Sequence, residues 1–505
     1  MSKHPKVKIR LQPMGEEFEI SKGSPLQDIL FAHGVEFPCG GRARCKGCRV
    51  RVIEGELPLT PEQEQLLSRA DLEAGWRLSC CGRAEGNLTL ELAQWEARIL
   101  ADDREFTFIP REGLGIAVDL GTTTLAAQLL DLATANVLAV RTALNPQARH
   151  GADIMSRISY AVTEKGQTKL ETLIRKEIGK LARELLKAAK ADPSAVRDVT
   201  IVGNTVMHHL FCGVDLEPLS HVPFEPKDDG AKSFLAADLG WDLSNARVRF
   251  LPCLGGFVGS DILAGILATP LYETNALVAL VDLGTNGEMV VGNRDRMLCA
   301  STAAGPAFEG ARISQGMRAA TGAISSVIVK EGHLDCHVIG EGKPRGICGS
   351  GLVDAVAGAL DLGKILPTGR LAGGGGEMPL CLPVKLTQTD IRELQLAKGA
   401  ISAGVRILLQ QWGAGMGDLT ALYLAGAFGN YINRASARRI GLIPFPREIV
   451  HPSGNTALLG AKKALFLTEA EDGSYAELRK KIRHVSLSED PAFQEIYVDE
   501  MSFPA

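Results

Sequence analysis

Two sets of residues in this chain have the types and spacing to do chemistry. The first is a set of thiols: Cys39, Cys45 and Cys48 fall within FPCGGRARCKGCRV (37–50), and Cys80 and Cys81 follow as an adjacent pair well downstream. Three thiols in a glycine-bearing loop plus one distant thiol is the ligand order of a [2Fe–2S] centre, with C-x5-C-x2-C where C-x4-C-x2-C is usual. Zinc knuckles use two C-x2-C pairs and only one is present here; zinc and unliganded thiols are the alternatives. Gly40, Gly41 and Gly47 let backbone N–H groups approach the sulfides and stabilise their charge. The second set is a repeated phrase. GIAVDLGTTTLAAQLLDL (115–132) and ALVALVDLGTNGEMVVGN (276–293) each run from an apolar strand through Asp-Leu-Gly-Thr into a second strand. Asp119 and Asp282 thus place a carboxylate at a strand end, where it suits a hydrated Mg²⁺. Gly121 and Gly284 turn the chain so that backbone N–H groups face phosphate oxygens, and threonine hydroxyls add donors.

These residues need elements to hold them. KVKIRL and EEFEI alternate as the strands of a hairpin, and SPLQDILFAHG is a Ser-capped helix ended by Gly34. The strand CRVRVIEGE, the short helix PEQEQLLSRA and the strands WRLSCC and NLTLEL follow. That order suits a β-grasp unit. In a strand WRLSCC, adjacent residues point to opposite faces, so only one of Cys80 and Cys81 can reach a given iron. EARILADDREFTFIPREG keeps neither period and reads as a linker. Beyond it the two Asp-Leu-Gly-Thr hairpins imply two like-folded lobes facing one another. ALYLAGAFGNYI (421–432) is a strand entering a glycine turn and a helix, where Gly426, Ala427 and Gly429 leave room for a flat adenine. NPQARHGADIMSRI and LPCLGGFVGSDILAGIL offer Asp153 and Asp261 as cleft acids, with close packing as the plainer role. His208 and His209 are adjacent, face different directions on a helix and lack metal-ligand spacing. The division is a ferredoxin-like unit at 1–94, a linker at 95–113, lobes at 114–270 and 271–470, and a C-terminal tail at 471–505.

The phrase WRLSC resembles the RL-x-C strand of plant- and vertebrate-type ferredoxins, which implies Cys80 as the fourth ligand and Cys81 as a buried neighbour. The two hairpins, with VTIVGNTVMHHLF (199–211), ALYLAGAFGNYI and GNTALLGAKKAL (454–465), resemble phosphate-1, connect-1, phosphate-2, adenosine and connect-2 of the actin, sugar kinase and Hsp70 superfamily. That resemblance implies an RNase H-like α/β core binding Mg²⁺ and ATP. Asp119 and Asp282 then organise the cation, and Thr122, Thr123, Thr124, Thr285 and Asn286 grip phosphate. A ferredoxin ahead of such an ATPase resembles the reductive activators of corrinoid proteins, whose tail is similar to SLSEDPAFQEIYVDEMSFP. The family implies ATP-dependent return of a Co(II) corrinoid, in a methyltransferase system, to Co(I). It also implies a low-potential electron donor and a homodimer. Larger members carry a further domain between ferredoxin and core, and only a short linker stands there in this chain. The rival readings are an activator of another low-potential metalloenzyme, a small-molecule kinase and a redox-sensing nucleotide-binding module.

Bulk properties narrow the field. A length of 505 residues is too great for one core, and roughly three domains is the prior. A net charge of −4 argues against general nucleic-acid binding, and no apolar run reaches the roughly 20 residues that span a bilayer. Eleven cysteines without an export signal point to metal ligation in the cytoplasm, not to disulfides. Arg42, Arg44, Lys46, Arg49 and Arg51 crowd the cysteine loop, although residues 1–93 balance thirteen cations with thirteen acids. They read either as a solvated rim offsetting thiolate charge or as a docking face for an acidic partner.

Overall fold

The computed structural model describes residues 5–12, 16–32, 43, 48–92, 108–151, 153–163, 165–243, 246–284, 286–310, 312–317, 319, 322–339, 343–467 and 469–504. The first unit is a five-stranded sheet. Its strands are β1 (Lys6–Gln12), β2 (Glu16–Ser21), β3 (Arg49–Glu54), β4 (Trp76–Leu78) and β5 (Leu88–Leu92), in the spatial order β2-β1-β5-β3-β4. In β1, Val7, Ile9 and Leu11 are buried while Lys6, Lys8 and Arg10 are exposed, the period of a strand with one wet face. Helices α1 (Leu26–Ala32), α2 (Pro61–Leu66) and α3 (Arg69–Glu73) complete the unit, whose core of Leu26, Leu30, Val50, Leu78 and Leu90 also takes in Cys48.

The first lobe is built on β6 (Leu114–Leu120), β7 (Thr124–Asp131), β8 (Val137–Leu144), β9 (Val196–Gly203), β10 (Lys232–Leu235) and β11 (Arg247–Phe250). Its helices are α4 (Ile154–Ala161), α5 (Gly166–Ala189), α6 (Thr205–Cys212) and α7 (Ser260–Ala268). Along α5, Leu170, Ile174, Ile178, Leu181 and Leu185 recur at helical spacing and seal one face of the sheet.

The second lobe opens with β12 (Val278–Leu283), β13 (Gly287–Gly292) and β14 (Met297–Thr302). A small sheet of β15 (Ala323–Lys330), β16 (His333–Val338) and β17 (Gly346–Ile347) leads to α8 (Gly349–Asp361) and to the hairpin β18 (Glu377–Cys381) and β19 (Val384–Thr387). Helix α9 (Gln388–Trp412), β20 (Ala421–Ala425), α10 (Gly426–Tyr431), α11 (Arg434–Arg439) and β21 (Val450–Gly454) follow. Then come α12 (Thr456–Leu465), α13 (Glu469–Lys480), β22 (Ile482–His484) and α14 (Phe493–Met501). Residues 471–505, set apart above as a tail, supply to this lobe both β22, the strand beside β14, and α14, which packs on α9.

The two large sheets share one pattern. The orders β11-β9-β6-β7-β8 and β21-β20-β12-β13-β14 each place two parallel neighbours on one side of the first strand and an antiparallel meander on the other. Between the sheets lie α7 and α12, in an apolar core that takes Ala117 and Val202 from one lobe and Leu280 and Val290 from the other. The helices touch backbone to backbone: a Cβ added at Gly460 would fall 2.0 Å from the Ala264 carbonyl oxygen. Among the described residues no helix is long and apolar enough to cross a membrane.

Candidate functional site

The C-terminal ends of β6 and β12 face each other across the cleft between the lobes. Asp119 and Asp282 are the penultimate residues of those strands, each half-buried. Burial pushes the Asp119 carboxyl up to about 6, opposed by a 2.8 Å hydrogen bond from Asn455 Nδ2 at the start of α12. Burial and then the Asp119 charge push Asp282 up to about 7. Asp261, in the first turn of α7, reaches about 8 through burial and the charges of Asp282 and Asp119. Glu288 is held well above the carboxylate range by burial and by Asp261 and Asp282.

Glu288 belongs to no motif of the sequence. Strand pairing explains it: in the β12–β13 hairpin Glu288 lies directly opposite Asp282, whereas Ala126 is the partner of Asp119. Like charges directly across a ladder are destabilising, so an acid inside the otherwise apolar GEMVVG is the signal that could have found it. Four carboxylates from both lobes form a hard-oxygen site, which suits Mg²⁺. Among the described residues no three of these side chains close on one point, so a cation here keeps several of its own waters.

The charge crowding fixes a pH dependence. Carboxyls raised in the fold bind protons that the unfolded chain has released, so metal-free stability falls as pH climbs from about 4 to about 8. Buried His208, lowered to about 4, and His209, also lowered by burial, work in the opposite direction, but their effect fades as the unfolded imidazole loses its proton just above pH 6.5. Between pH 6.5 and 8 the melting temperature of the metal-free protein should therefore drop, and Mg²⁺ with ATP should abolish the drop. A melting temperature flat across that window in metal-free buffer would remove the acid cluster.

The turns around these acids differ from expectation in detail. Gly426 adopts φ +83°, and a Cβ there would stand 2.5 Å from Asp282 Oδ1. Its bare face therefore makes room for Asp282, not for adenine. Gly429 faces Leu424 of β20, with an added Cβ 3.1 Å from Leu424 Cγ, and so serves close helix–strand packing. Thr122 is buried and its hydroxyl accepts a 2.9 Å hydrogen bond from Asn204 Nδ2, while Thr123 is half-buried and Thr124 exposed. Gly121 N–H donates to the Thr124 carbonyl at 3.1 Å, and Gly284 N–H to that of Asn286 at 3.1 Å. The Asn286 side chain also hydrogen-bonds Glu288. Thr285 lies outside the described residues, and Ala427 is placed only as backbone in α10. Asp153 is no cleft acid: it caps α4, accepting from Ser156 N–H at 2.8 Å. Residues 199–211 form β9 and α6 inside the first lobe, and the helix that crosses α12 is α7, so the connect-1 position belongs to 260–268. His208 and His209 do not face apart: both are buried, with their Nδ1 atoms 3.4 Å from each other.

The thiol site corrects a second expectation. Ser79 N–H and Oγ both donate to the Cys48 carbonyl, at 3.1 and 2.8 Å, the last ladder contact of β4, and the Gly82 N–H then bonds back to the Ser79 carbonyl at 3.1 Å and turns the chain. Residues Ser79–Cys81 then form a 3-10 turn, and strand alternation does not apply. The Cys80 and Cys81 sulfurs lie 3.8 Å apart. Hydrogen bonding with Cys48 and then with Cys81 raises the Cys80 thiol far above its ordinary range, and such crowded thiols fit a shared metal centre. Cys39, Cys45, Gly40, Gly41 and Gly47 lie outside the described residues, as do Arg42, Arg44 and Lys46 of the basic rim. Arg49 and Arg51 are engaged: both stand over the Trp76 ring, at 5.5 and 5.7 Å, and pair with Asp71 and Glu91.

With this geometry described, three family matches divide the chain. Residues 9–85 match the 2Fe-2S iron-sulfur cluster binding domain, 114–274 the RACo middle region, and 276–505 the C-terminal domain of RACo, the ASKHA domain. The chain is 31% identical to the corrinoid activation enzyme RamQ of Eubacterium limosum, over 97% of its own length and 98% of that protein's. It is also 31% identical to a Methanosarcina barkeri [Co(II) methylated amine-specific corrinoid protein] reductase, over 77% of each chain. Among solved structures it is similar to a reductive activator for corrinoid, iron-sulfur protein, with a TM-score of 0.70 and 26% identity over 99% of this chain and 98% of that one.

Proposed function

The chain belongs to the reductive activators of corrinoid proteins, and on that footing we propose that it is an ATP-dependent metalloreductase returning the Co(II) corrinoid of a methyltransferase system to Co(I). The observation that carries the reading is the presence, in one chain, of the convergent thiols Cys48 and Cys80 and of an acid cluster to which both lobes contribute. When bound, the [2Fe–2S] cluster supplies the electron, and ATP with Mg²⁺ supplies the driving free energy. Cys39, Cys45, Cys48 and Cys80 hold the cluster. Asp119 and Asp282 hold the hydrated cation, with Asp261 and Glu288 behind them. Gly121, Thr122, Thr123, Thr124, Gly284, Thr285 and Asn286 surround the phosphates, and the turn of Gly426, Ala427 and Gly429 closes the site beside Asp282, its glycines giving room to Asp282 and Leu424 and not to adenine. An external low-potential carrier refills the ferredoxin unit.

Energy explains why the two halves share a chain. Plant-type clusters sit near −400 mV, and the Co(II)/Co(I) couple is expected lower. A gap of ~200 mV is about 4.6 kcal/mol for one electron, within reach of differential nucleotide binding between two lobe arrangements. The α7–α12 crossing is a pivot for such a rearrangement, since both helices lie in the apolar core to which the two lobes contribute. The reading is tested by anaerobic mixing with a Co(II) corrinoid protein and reductant, following Co(I) absorbance. Co(I) should accumulate with MgATP and not without it. Equal Co(I) in both arms would remove the ATP coupling, and ADP release tied to phosphorylation of a small acceptor would favour a kinase instead.

A further inference from the structure

We propose that Arg157 and Asn145 are positioning residues that aim the peptide N–H groups of the first Asp-Leu-Gly-Thr turn at nucleotide phosphates; the proposal rests on the nucleotide reading of the cleft. Three successive carbonyls of that turn are held from one side. Asn145 Nδ2 donates to the Gly121 carbonyl at 3.0 Å, Arg157 Nη2 to the Thr122 carbonyl at 2.6 Å, and the Asn145 N–H to the Thr123 carbonyl at 2.9 Å. The peptide bonds here are trans. In a planar trans peptide the N–H points opposite to the C=O, so pulling a carbonyl back turns the next residue's N–H forward. The N–H groups of Thr122 and Thr123 therefore point away from Asn145 and Arg157. They lie outside both flanking strands and have no hydrogen-bond partner among the described residues. Successive N–H groups presented together make an anion-binding concavity.

Arg157 adds charge to this geometry. It is fully buried on α4, and its other hydrogen bonds go to neutral acceptors, the Gly151 carbonyl at 2.9 Å, Gln147 Oε1 at 3.3 Å and Met207 Sδ at 3.6 Å. Among the described residues no carboxylate stands within ion-pair distance of it, and only Asp153 acts on it, at longer range. A guanidinium one hydrogen bond behind the turn, without a contacting counter-ion, leaves a positive field where a phosphate would sit. Asn145 is itself fixed by its role as the cap of the Pro146–His150 turn, accepting from Gln147 N–H at 3.0 Å.

The test compares ligands with and without phosphate. Dissociation constants for ATP, ADP and adenosine, all with Mg²⁺, are measured by titration calorimetry on the full chain and on Arg157→Met, Arg157→Lys and Asn145→Ala. Losing a charge-assisted hydrogen bond to the turn should weaken ATP and ADP by roughly 10- to 100-fold in Arg157→Met. Adenosine should stay within about twofold, because it meets none of these N–H groups. Arg157→Lys, which keeps the charge and one donor, should fall between the two, and it carries the test if Arg157→Met does not fold. Equal weakening of ATP and adenosine in a folded variant would make Arg157 merely structural and overturn the proposal, as would no weakening at all. Wild-type protein that binds ATP no better than adenosine would instead remove the nucleotide reading itself.

Discussion

Asp282→Asn, and likewise Asp119→Asn, should cut ATP turnover by roughly a thousand-fold, the size expected when several kcal/mol of cation-dependent transition-state stabilisation are lost. The substitution is isosteric, so the Gly426 turn that presses on Asp282 keeps its shape. The ferredoxin unit has its own core, so the iron–sulfur absorbance should be unchanged. What makes the prediction sharp is that stability moves the other way. Asp282 resists ionisation because it is buried beside Asp119, and an amide carries no charge to desolvate. At pH 8 without metal, Asp282→Asn should therefore melt at or above the wild-type temperature while being nearly inactive. Wild-type turnover in both variants would dismiss the two aspartates as the catalytic centre. A lower melting temperature with lost activity would mean that they serve the fold.

Cys80→Ser should bring iron content down from about two atoms per chain to a small fraction, whereas Cys81→Ser should retain it. The basis is contact. The Cys80 thiol meets both Cys48 and Cys81, and Cys48 sits at the end of the cysteine loop with its carbonyl fixed by Ser79. Because the two neighbouring sulfurs share one turn, Cys81 is the natural substitute if the chain can rotate to present it. The double variant Cys80→Ser/Cys81→Ser separates the cases. If Cys80→Ser alone keeps its cluster and the double variant does not, Cys81 is a competent ligand, and the assignment of Cys80 fails.

What could be read from the sequence was what local patterning determines. Asp119 and Asp282 stood out because each closes an apolar strand with the same four residues, and strand-end carboxylates need no tertiary knowledge to be noticed. Glu288 escaped because its meaning lies in a cross-strand register, which places it against Asp282. Phrase order alone points to 199–211 as the crossing helix. Which helix meets α12 is decided by the shared core, where α7 is apolar throughout beyond its first two residues, Ser260 and Asp261. Opposite faces for Cys80 and Cys81 require WRLSCC to stay extended. The Gly82 N–H, bonding back to the Ser79 carbonyl, turns the chain instead. At Gly426 the sequence shows the turn and not the neighbour, since only the assembled site puts a carboxylate over its Cα.

The position of α12 has a consequence for how the chain is made. All six strands of the first lobe lie within residues 114–250, yet the helix packed on β6 and β9 is drawn from 456–465. About two hundred residues of translation separate them, roughly 10 to 40 seconds at ordinary ribosomal speed. Through that interval the nascent first lobe carries a finished sheet with one apolar face covered only by α7, against β9, while the ferredoxin unit has every strand it needs. Synthesis thus delivers a complete electron carrier well before a complete motor, and the part of that face reserved for α12 is where a chaperone would be expected to wait.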